Sequence, residues 1–255
     1  MPVSQELEAK ALARQWFYKF RLPSGRSTEA YVSDDILKIH DTRERMLVQV
    51  LEREFGSRMS QLRCVDLACH QGFFSHTFAS RGCKEVVGVD ARAEHLEDAT
   101  LMRDVFGYNN LRFLKGDLQT LTPAEVGSFD VSLLFGILYH LENVVGVLRL
   151  AQAVTKNMCL IETQVAPNLT GVTDWGSYRF TKQIIGCLAI VDETSELAIG
   201  NKEANTAAIT LFPSLPGLLH LLKAVGFART EVLQPIPDAY EQLASGKRVI
   251  VAAYN

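Results

Sequence analysis

The segment Val65-Asp66-Leu67-Ala68-Cys69-His70-Gln71-Gly72-Phe73-Phe74 ends an apolar run in a turn that opens a second, amphipathic run. Gly72 is free to take the backbone angles of a tight turn. Such a turn can press main-chain atoms against a ligand while Asp66 hydrogen-bonds a cationic one. Alone, the segment reads equally well as a plain strand-to-helix turn. Asp90 follows 24 positions after Asp66, at the end of Gly88-Val89-Asp90-Ala91-Arg92. A carboxylate there suits both hydroxyls of an adenosine ribose, although a lone aspartate at a strand end also serves as a helix N-cap. Lys115-Gly116-Asp117-Leu118 offers an acceptor for an adenine amino group and an apolar wall for the ring, or simply a turn aspartate. After the apolar run Phe129–Phe135 come Gly136, Tyr139 and His140. A histidine there can act as a general base near neutral pH, or hydrogen-bond the following loop as a structural residue.

These residues need a scaffold that brings several strand ends together. Short apolar runs alternate with amphipathic stretches, which is the βαβ pattern of a parallel sheet. Strands are predicted at Cys64–Leu67, Glu85–Asp90, Leu111–Leu114, Phe129–Phe135, Met158–Glu162, Arg229–Leu233 and Val249–Ala253. Helices are predicted near Phe73–Ser80, Ala93–Val105, Val144–Thr155 and Leu215–Ala224. Ligands of such sheets bind beyond the carboxyl ends of the strands, where all four segments would lie.

Two regions break the rhythm. Residues 1–60 contain Trp16–Leu22 and a helical pattern from Asp34 to Phe55. They are expected to form an N-terminal helical extension or lid, ahead of a domain over 61–255. Its His40-Asp41-Thr42-Arg43-Glu44-Arg45 stretch reads either as closing over the site or as a solvated charged face. Residues 163–212 separate two elements by about 50 positions, where connections usually run about 2–6. Trp175, Tyr178, Phe180, Ile184, Ile185, Leu188, Ile190 and Val191 make this insert too apolar for a linker, so it is expected to fold as a cap. Trp175, Tyr178 and Arg179 either line an acceptor pocket or form the cap's own small core.

Composition sets outer limits. The 255 residues are 47% hydrophobic with a net charge of -3, which suits one large α/β domain and speaks against a grip on long nucleic acid. Five cysteines without a Cys-x-x-Cys pair argue against disulfides or a zinc site, and no metal is expected. No membrane span or secretion signal is legible, so the expected compartment is the cytoplasm. A homodimer is one assembly the sequence leaves open.

Taken together, Asp66-x-Ala-Cys-x-x-Gly72, Asp90, Gly116-Asp117, Phe129-Asp130 and Gly136-x-Leu-Tyr139-His140-Leu resemble the motifs of class I S-adenosylmethionine (AdoMet)-dependent methyltransferases. Phe212-Pro213-Ser214 through Gly226-Phe227 and Lys247-Arg248-Val249-Ile250-Val251 resemble that fold's final helix and antiparallel last strand. The resemblance implies a Rossmann-like seven-stranded sheet with helices on both faces. It implies AdoMet as cofactor, S-adenosylhomocysteine (SAH) as product and a small-molecule acceptor. The implied cofactor residues are Asp66, Ala68, Gly72, Phe73, Asp90, Ala91, Asp117, Leu118, Phe135 and Gly136, with His140 and Tyr139 facing the acceptor. One departure is plain: of the usual Gly-x-Gly-x-Gly turn only Gly72 remains, with Ala68 and His70 in place of the others. His70 is expected either to narrow the cofactor space or to point outward.

Within the superfamily, Trp16 through Leu22-Pro23-Ser24-Gly25, Gly136-x-Leu-Tyr139-His140 and Lys247-Arg248 resemble relatives of the tRNA wobble-uridine carboxymethyltransferases. There the tyrosine and arginine matching Tyr139 and Arg248 help bind the extra carboxylate of carboxy-AdoMet. The family's lysine motif and basic RNA-binding portion are not recognisable here, which favours plain methyl transfer. Three alternatives remain open: a tRNA-modifying enzyme, a non-catalytic AdoMet-binding partner subunit, and a dehydrogenase.

Overall fold

The computed structural model describes residues 3–174, 176, 182–191 and 210–255. Trp175, Tyr178, Arg179 and Phe180, expected in the cap, lie outside the described residues.

Seven strands form one sheet: β1 (Arg63–Leu67), β2 (Glu85–Asp90), β3 (Leu111–Lys115), β4 (Phe129–Phe135), β5 (Thr155–Gln164), β6 (Arg229–Val232) and β7 (Arg248–Tyr254). Their order is β6-β7-β5-β4-β1-β2-β3. β7 runs antiparallel to both neighbours, and the other pairs are parallel. The central strands are apolar on both faces, as a parallel sheet covered on both sides requires. Alternation places Cys64, Val86 and Met158 in one core, and Val65, Val87 and Cys159 in the other.

Six helices matter here: α1 (Val3–Leu12), α2 (Asp34–Phe55), α3 (Phe73–Ser80), α4 (Ala93–Phe106), α5 (Val144–Val154) and α6 (Leu215–Val225). The first core is covered from α2, α3 and α4 by residues such as Leu47, Phe78 and Met102, and the second from α5 and α6 by Leu148 and Leu222. Pro216 in the first turn of α6 is compatible with a helix start, and the Ser214 side chain accepts from Gly217 as its N-cap.

The strands and helices lie where predicted, with ends moved by up to three residues. β5 starts at Thr155 rather than Met158, because Phe129 of β4 pairs with Thr155 before a bulge. Helix α1 has no counterpart in the sequence reading; its charges alternate without a clear apolar stripe. Residues 15–22 run extended to a turn at 23–25 that brings Ser27 back beside Arg21, and Trp16, Tyr18, Phe20 and Leu22 alternate into the same core as the sheet. The N-terminal region is therefore built into the domain's core. In the insert, Gly171–Thr173 pairs with Lys182–Ile184, and Leu188–Val191 with Thr210–Pro213. Among the described residues no helix is long and apolar enough to cross a membrane.

Candidate functional site

The order of the strands reverses between β1 and β4, and the turn after β1 opens beside that point. Ala68 and His70 both take left-handed backbone angles, φ 64° and 52°, where the family's glycines would be unstrained. The turn is held by two main-chain bonds, Cys69 N to Val89 O and Gly72 N to Cys69 O, each 2.8 Å. Gly72 has φ 79°, and a Cβ there would meet Ala99 Cβ at 3.0 Å and the Phe113 ring at 3.2 Å, so the position demands glycine. From the N-terminal segment, Phe17 N donates to Gln71 Oε1 at 2.8 Å and locks the turn from outside.

Asp66 lies beneath this turn. Ser75 Oγ donates to its Oδ2 at 2.7 Å. Burial pushes its pKa up to about 7 against the opposing Ser75 hydrogen bonds, with nearby Asp90 adding to the rise. Asp66 is buried, and with Gly72 and Phe73 it lies outside the lining of the cleft in the ligand-free protein. Phe73 stacks on Tyr18 with ring centroids 4.9 Å apart.

Asp90, at the end of β2, is the electrostatic centre of the cleft. Its Oδ2 accepts from His70 N at 2.8 Å, and its Oδ1 from Arg92 N at 2.9 Å and His95 Nδ1 at 3.3 Å. Burial alone would raise its pKa, but these hydrogen bonds outweigh it and hold the carboxyl below its ordinary value. A carboxylate has about four acceptor positions, so an acceptor site remains for a ligand hydroxyl. The imidazole rings of His70 and His95 lie 3.8 Å apart, and both line the cleft. His70 therefore narrows the site.

One end of the cleft is formed by Gly116, Asp117, Leu118 and Gln119. Asp117 Oδ1 accepts from Gln119 N at 2.9 Å, while buried Leu118 supplies an apolar wall. Phe135, Gly136, Ile137, Tyr139, His140 and Leu141 also line it, and the loop that follows meets the first group where Asn143 N donates to Gln119 Oε1 at 3.0 Å. Tyr139 and His140 belong to a 3₁₀ turn, Leu138–His140, with ring centroids 4.3 Å apart. The enclosed part measures about 200 Å³. That is below the roughly 300 Å³ at the low end of ligand sites, so a nucleoside-sized ligand would extend into the mouth.

Behind Tyr139 lies a buried ionic cluster. Arg248 Nη1 donates to Glu162 Oε1 at 3.0 Å and to Tyr139 Oη at 3.2 Å, and its Nε to Gln242 Oε1 at 2.6 Å. Arg43 Nη2 donates to Glu162 Oε2 at 2.7 Å. Burial opposes the charge on Arg248, but Glu162 outweighs it and raises the pKa above the ordinary arginine value. Arg248 thus sits behind the cleft wall and does not line it.

The structure brings Ala68, Asp90, Ala91, Asp117, Leu118, Phe135, Gly136, Tyr139 and His140 to one cleft. Sequence reasoning missed Phe17, Tyr18, Arg92, His95 and Gln119 as lining residues. The reading of His40–Arg45 as a solvated face is corrected: His40, Thr42 and Arg43 are buried, and only Asp41 and Arg45 are exposed. The available signal was Ile39, Arg43, Met46, Leu47 and Val50 at helical spacing, a stripe with a cation inside it. The aromatics of 16–20 are likewise packed inward, with Lys19 and Arg21 alone facing solvent among Trp16, Tyr18, Lys19, Phe20 and Arg21.

The family described as "Methyltransferase domain" matches residues 59–202, more than half the chain. A comparison with curated proteins finds no match. Among solved structures, the N-terminal domain of EvdMO1 in the presence of SAH and D-fucose is similar, with a TM-score of 0.69, 20% identity, and coverage of 100% of this chain and 97% of that one. Magnesium protoporphyrin IX methyltransferase (ChlM) from Synechocystis PCC 6803 with bound SAH has a TM-score of 0.58 at 16% identity, covering 89% and 90%. The DhpI–SAH complex has a TM-score of 0.52 at 14% identity, covering 84% of each chain. At these identities the likeness is one of fold.

Proposed function

Because this chain belongs to the methyltransferase-domain family, we propose that it transfers the methyl group of AdoMet to a small-molecule acceptor. The observation that carries the reading is the buried, ionised Asp90 at the end of β2, in one cleft with Asp117 and Leu118 on one side and Tyr139 and His140 on the other. The residues present fit AdoMet. Asp90 keeps an acceptor position for the ribose, Leu118 gives an apolar face for adenine beside Asp117, and Ala68 and Gly136 line the same cleft. When bound, AdoMet supplies a methyl group already activated by its sulfonium, so the protein need not build a nucleophile. Its own residues must orient the acceptor, exclude water and, for an oxygen acceptor, take a proton. His140 is the base in this reading, and Tyr139 orients the acceptor. In this reading residues 163–212 form the cap that sets specificity, while the core-packed N-terminal region contributes Phe17, Tyr18 and Arg43 to the cleft wall.

The structural neighbours include proteins whose names or ligands point to a sugar and a porphyrin, which supports a small acceptor. The carboxymethyl-transferring, tRNA-directed reading has the Tyr139–Arg248 pair in its favour. Against it, Arg248 is already engaged by Glu162, Tyr139 and Gln242, and of the N-terminal aromatics Trp16 and Phe20 are buried away from the cleft rather than offered to bases. Calorimetry with AdoMet, SAH and carboxy-AdoMet tests the choice. Binding of the first two without gain for the third is expected. Preference for carboxy-AdoMet would overturn plain methyl transfer, and binding of none would favour the non-catalytic partner.

A further inference from the structure

The turn after β1 holds Ala68 and His70 at left-handed backbone angles, where a side chain is disfavoured and glycine is not. Such a turn depends on contacts from outside it. Beyond its main-chain bonds, it is gripped at Gln71. This residue is 4% exposed and lies outside the cleft lining, and its side-chain amide spans two other elements. Oε1 accepts from Phe17 N at 2.8 Å, and Nε2 donates to Asp98 Oδ2 of α4 at 2.9 Å. The second Asp98 oxygen pairs with Arg14 Nη1. One bridge therefore holds the N-terminal segment twice, at Phe17 through Gln71 and at Arg14 through Asp98.

The chemistry of this bridge singles out an amide. A main-chain N–H only donates, and a carboxylate only accepts. A side chain between them must accept at one end and donate at the other. Glutamine does both, ionised glutamate only accepts, and methionine does neither with comparable strength. Asp98 also fixes the orientation, because a flipped amide would set donor against donor at Phe17 and oxygen against carboxylate.

The bridge holds part of the cleft wall. Phe17 and Tyr18 line the cleft together with Ala68 and His70, and their rings lie 5.1 and 5.6 Å from the His70 imidazole. Trp16 and Tyr18 pack into the core on either side of Phe17. Phe17, turned the other way by the alternation of the extended chain, takes its seat on the turn from Gln71.

We infer that Gln71 is a positioning residue for the cofactor. Its amide clamps Phe17 and the Ala68–Gly72 turn into one corner of the cleft, so that the protein meets AdoMet with that corner already formed. The inference rests on the AdoMet reading of the cleft.

The test titrates SAH into wild type, Gln71→Met and Gln71→Glu at about pH 8 and about pH 5, each below its own melting temperature. At the higher pH both variants should bind SAH about tenfold or more weakly, as when the formed corner falls to roughly a tenth of the molecules. In Gln71→Glu the new carboxylate faces Asp98 of α4, with Arg14 of the N-terminal segment beyond it and His70 of the turn beside it. At the lower pH two facing carboxylates share a proton. Protonated glutamate then donates to Asp98 and accepts from Phe17 N as glutamine does. Gln71→Glu should therefore regain most of its affinity relative to wild type at the same pH, and Gln71→Met should not. Wild type, with the same Asp90, His70, His95 and Asp98, sets the baseline. A merely structural glutamine would lower the melting temperature of the variants and leave SAH affinity untouched. That result, or a loss in Gln71→Glu that acid does not repair, overturns the inference. If Gln71→Met does not fold, Gln71→Glu carries the test alone. If wild type binds no SAH, the AdoMet reading fails, and hydrogen exchange still decides the clamp. The Phe17 and Gly72 amides of Gln71→Glu should then exchange faster than in wild type at the higher pH and alike at the lower, whereas equal exchange at both refutes it.

Discussion

Replacing Asp66 by asparagine should flatten the pH dependence of stability. Burial raises the Asp66 pKa from 3.8 to about 7 in the folded protein. Between those values the folded chain holds a proton that the unfolded chain has released, so wild-type stability falls as pH rises through that window. The penalty is complete once pH exceeds the folded value. A gap of about three units, at roughly 1.4 kcal/mol each, amounts to about 4 kcal/mol. Asparagine does not titrate, and its side-chain oxygen can still accept from Ser75 Oγ. Whatever the fixed cost of the substitution, the stability of Asp66→Asn relative to wild type should climb by about 4 kcal/mol from pH 4 to pH 8. For a domain of this size, that corresponds to very roughly 10 °C in Tm. Urea unfolding of both proteins across that range measures the difference. Parallel curves would refute the argument, because they would mean that Asp66 ionises as easily folded as unfolded.

Asp90→Ala should abolish SAH binding in calorimetry while the protein stays folded; undiminished affinity would remove Asp90 from the ribose. His140→Ala should lower kcat by about 10²- to 10⁴-fold with little change in SAH affinity, and unchanged turnover would exclude it as the base. Glu162→Gln strands two buried guanidiniums without a counter-charge and should cost about 3–5 kcal/mol, read as a lowered urea midpoint. A variant as stable as wild type would show that the cluster is more hydrated than its burial implies.

The sheet was legible because its strands are near-continuous apolar runs bounded by turn residues, a pattern that needs no partner to be recognised. The strand-end residues Asp90, Asp117, Gly136, Tyr139 and His140 were legible for the same reason: once the strand is placed, the next residues fall at the cleft. Asp66 was legible as a strand-end acid, but sequence spacing does not show that it turns under the loop to meet Ser75. Arg43 looked like one charge among four in Asp41–Arg45. Only the long-range pairing with Glu162, 119 residues away, makes it part of a site. The inward turn of Trp16, Tyr18 and Phe20 follows from the alternation of an extended chain, which the segment's sequence alone does not announce.

The ionic cluster joins residues 43, 162 and 248, and β7, which carries the last of them, is inserted between β5 and β6. Until β7 enters the sheet, Glu162 has lost one of its two cationic partners and the edge of β5 is unpaired. The ionic cluster behind Tyr139 is thus completed only once β7 has docked, through contacts of very high sequence separation, which form slowly.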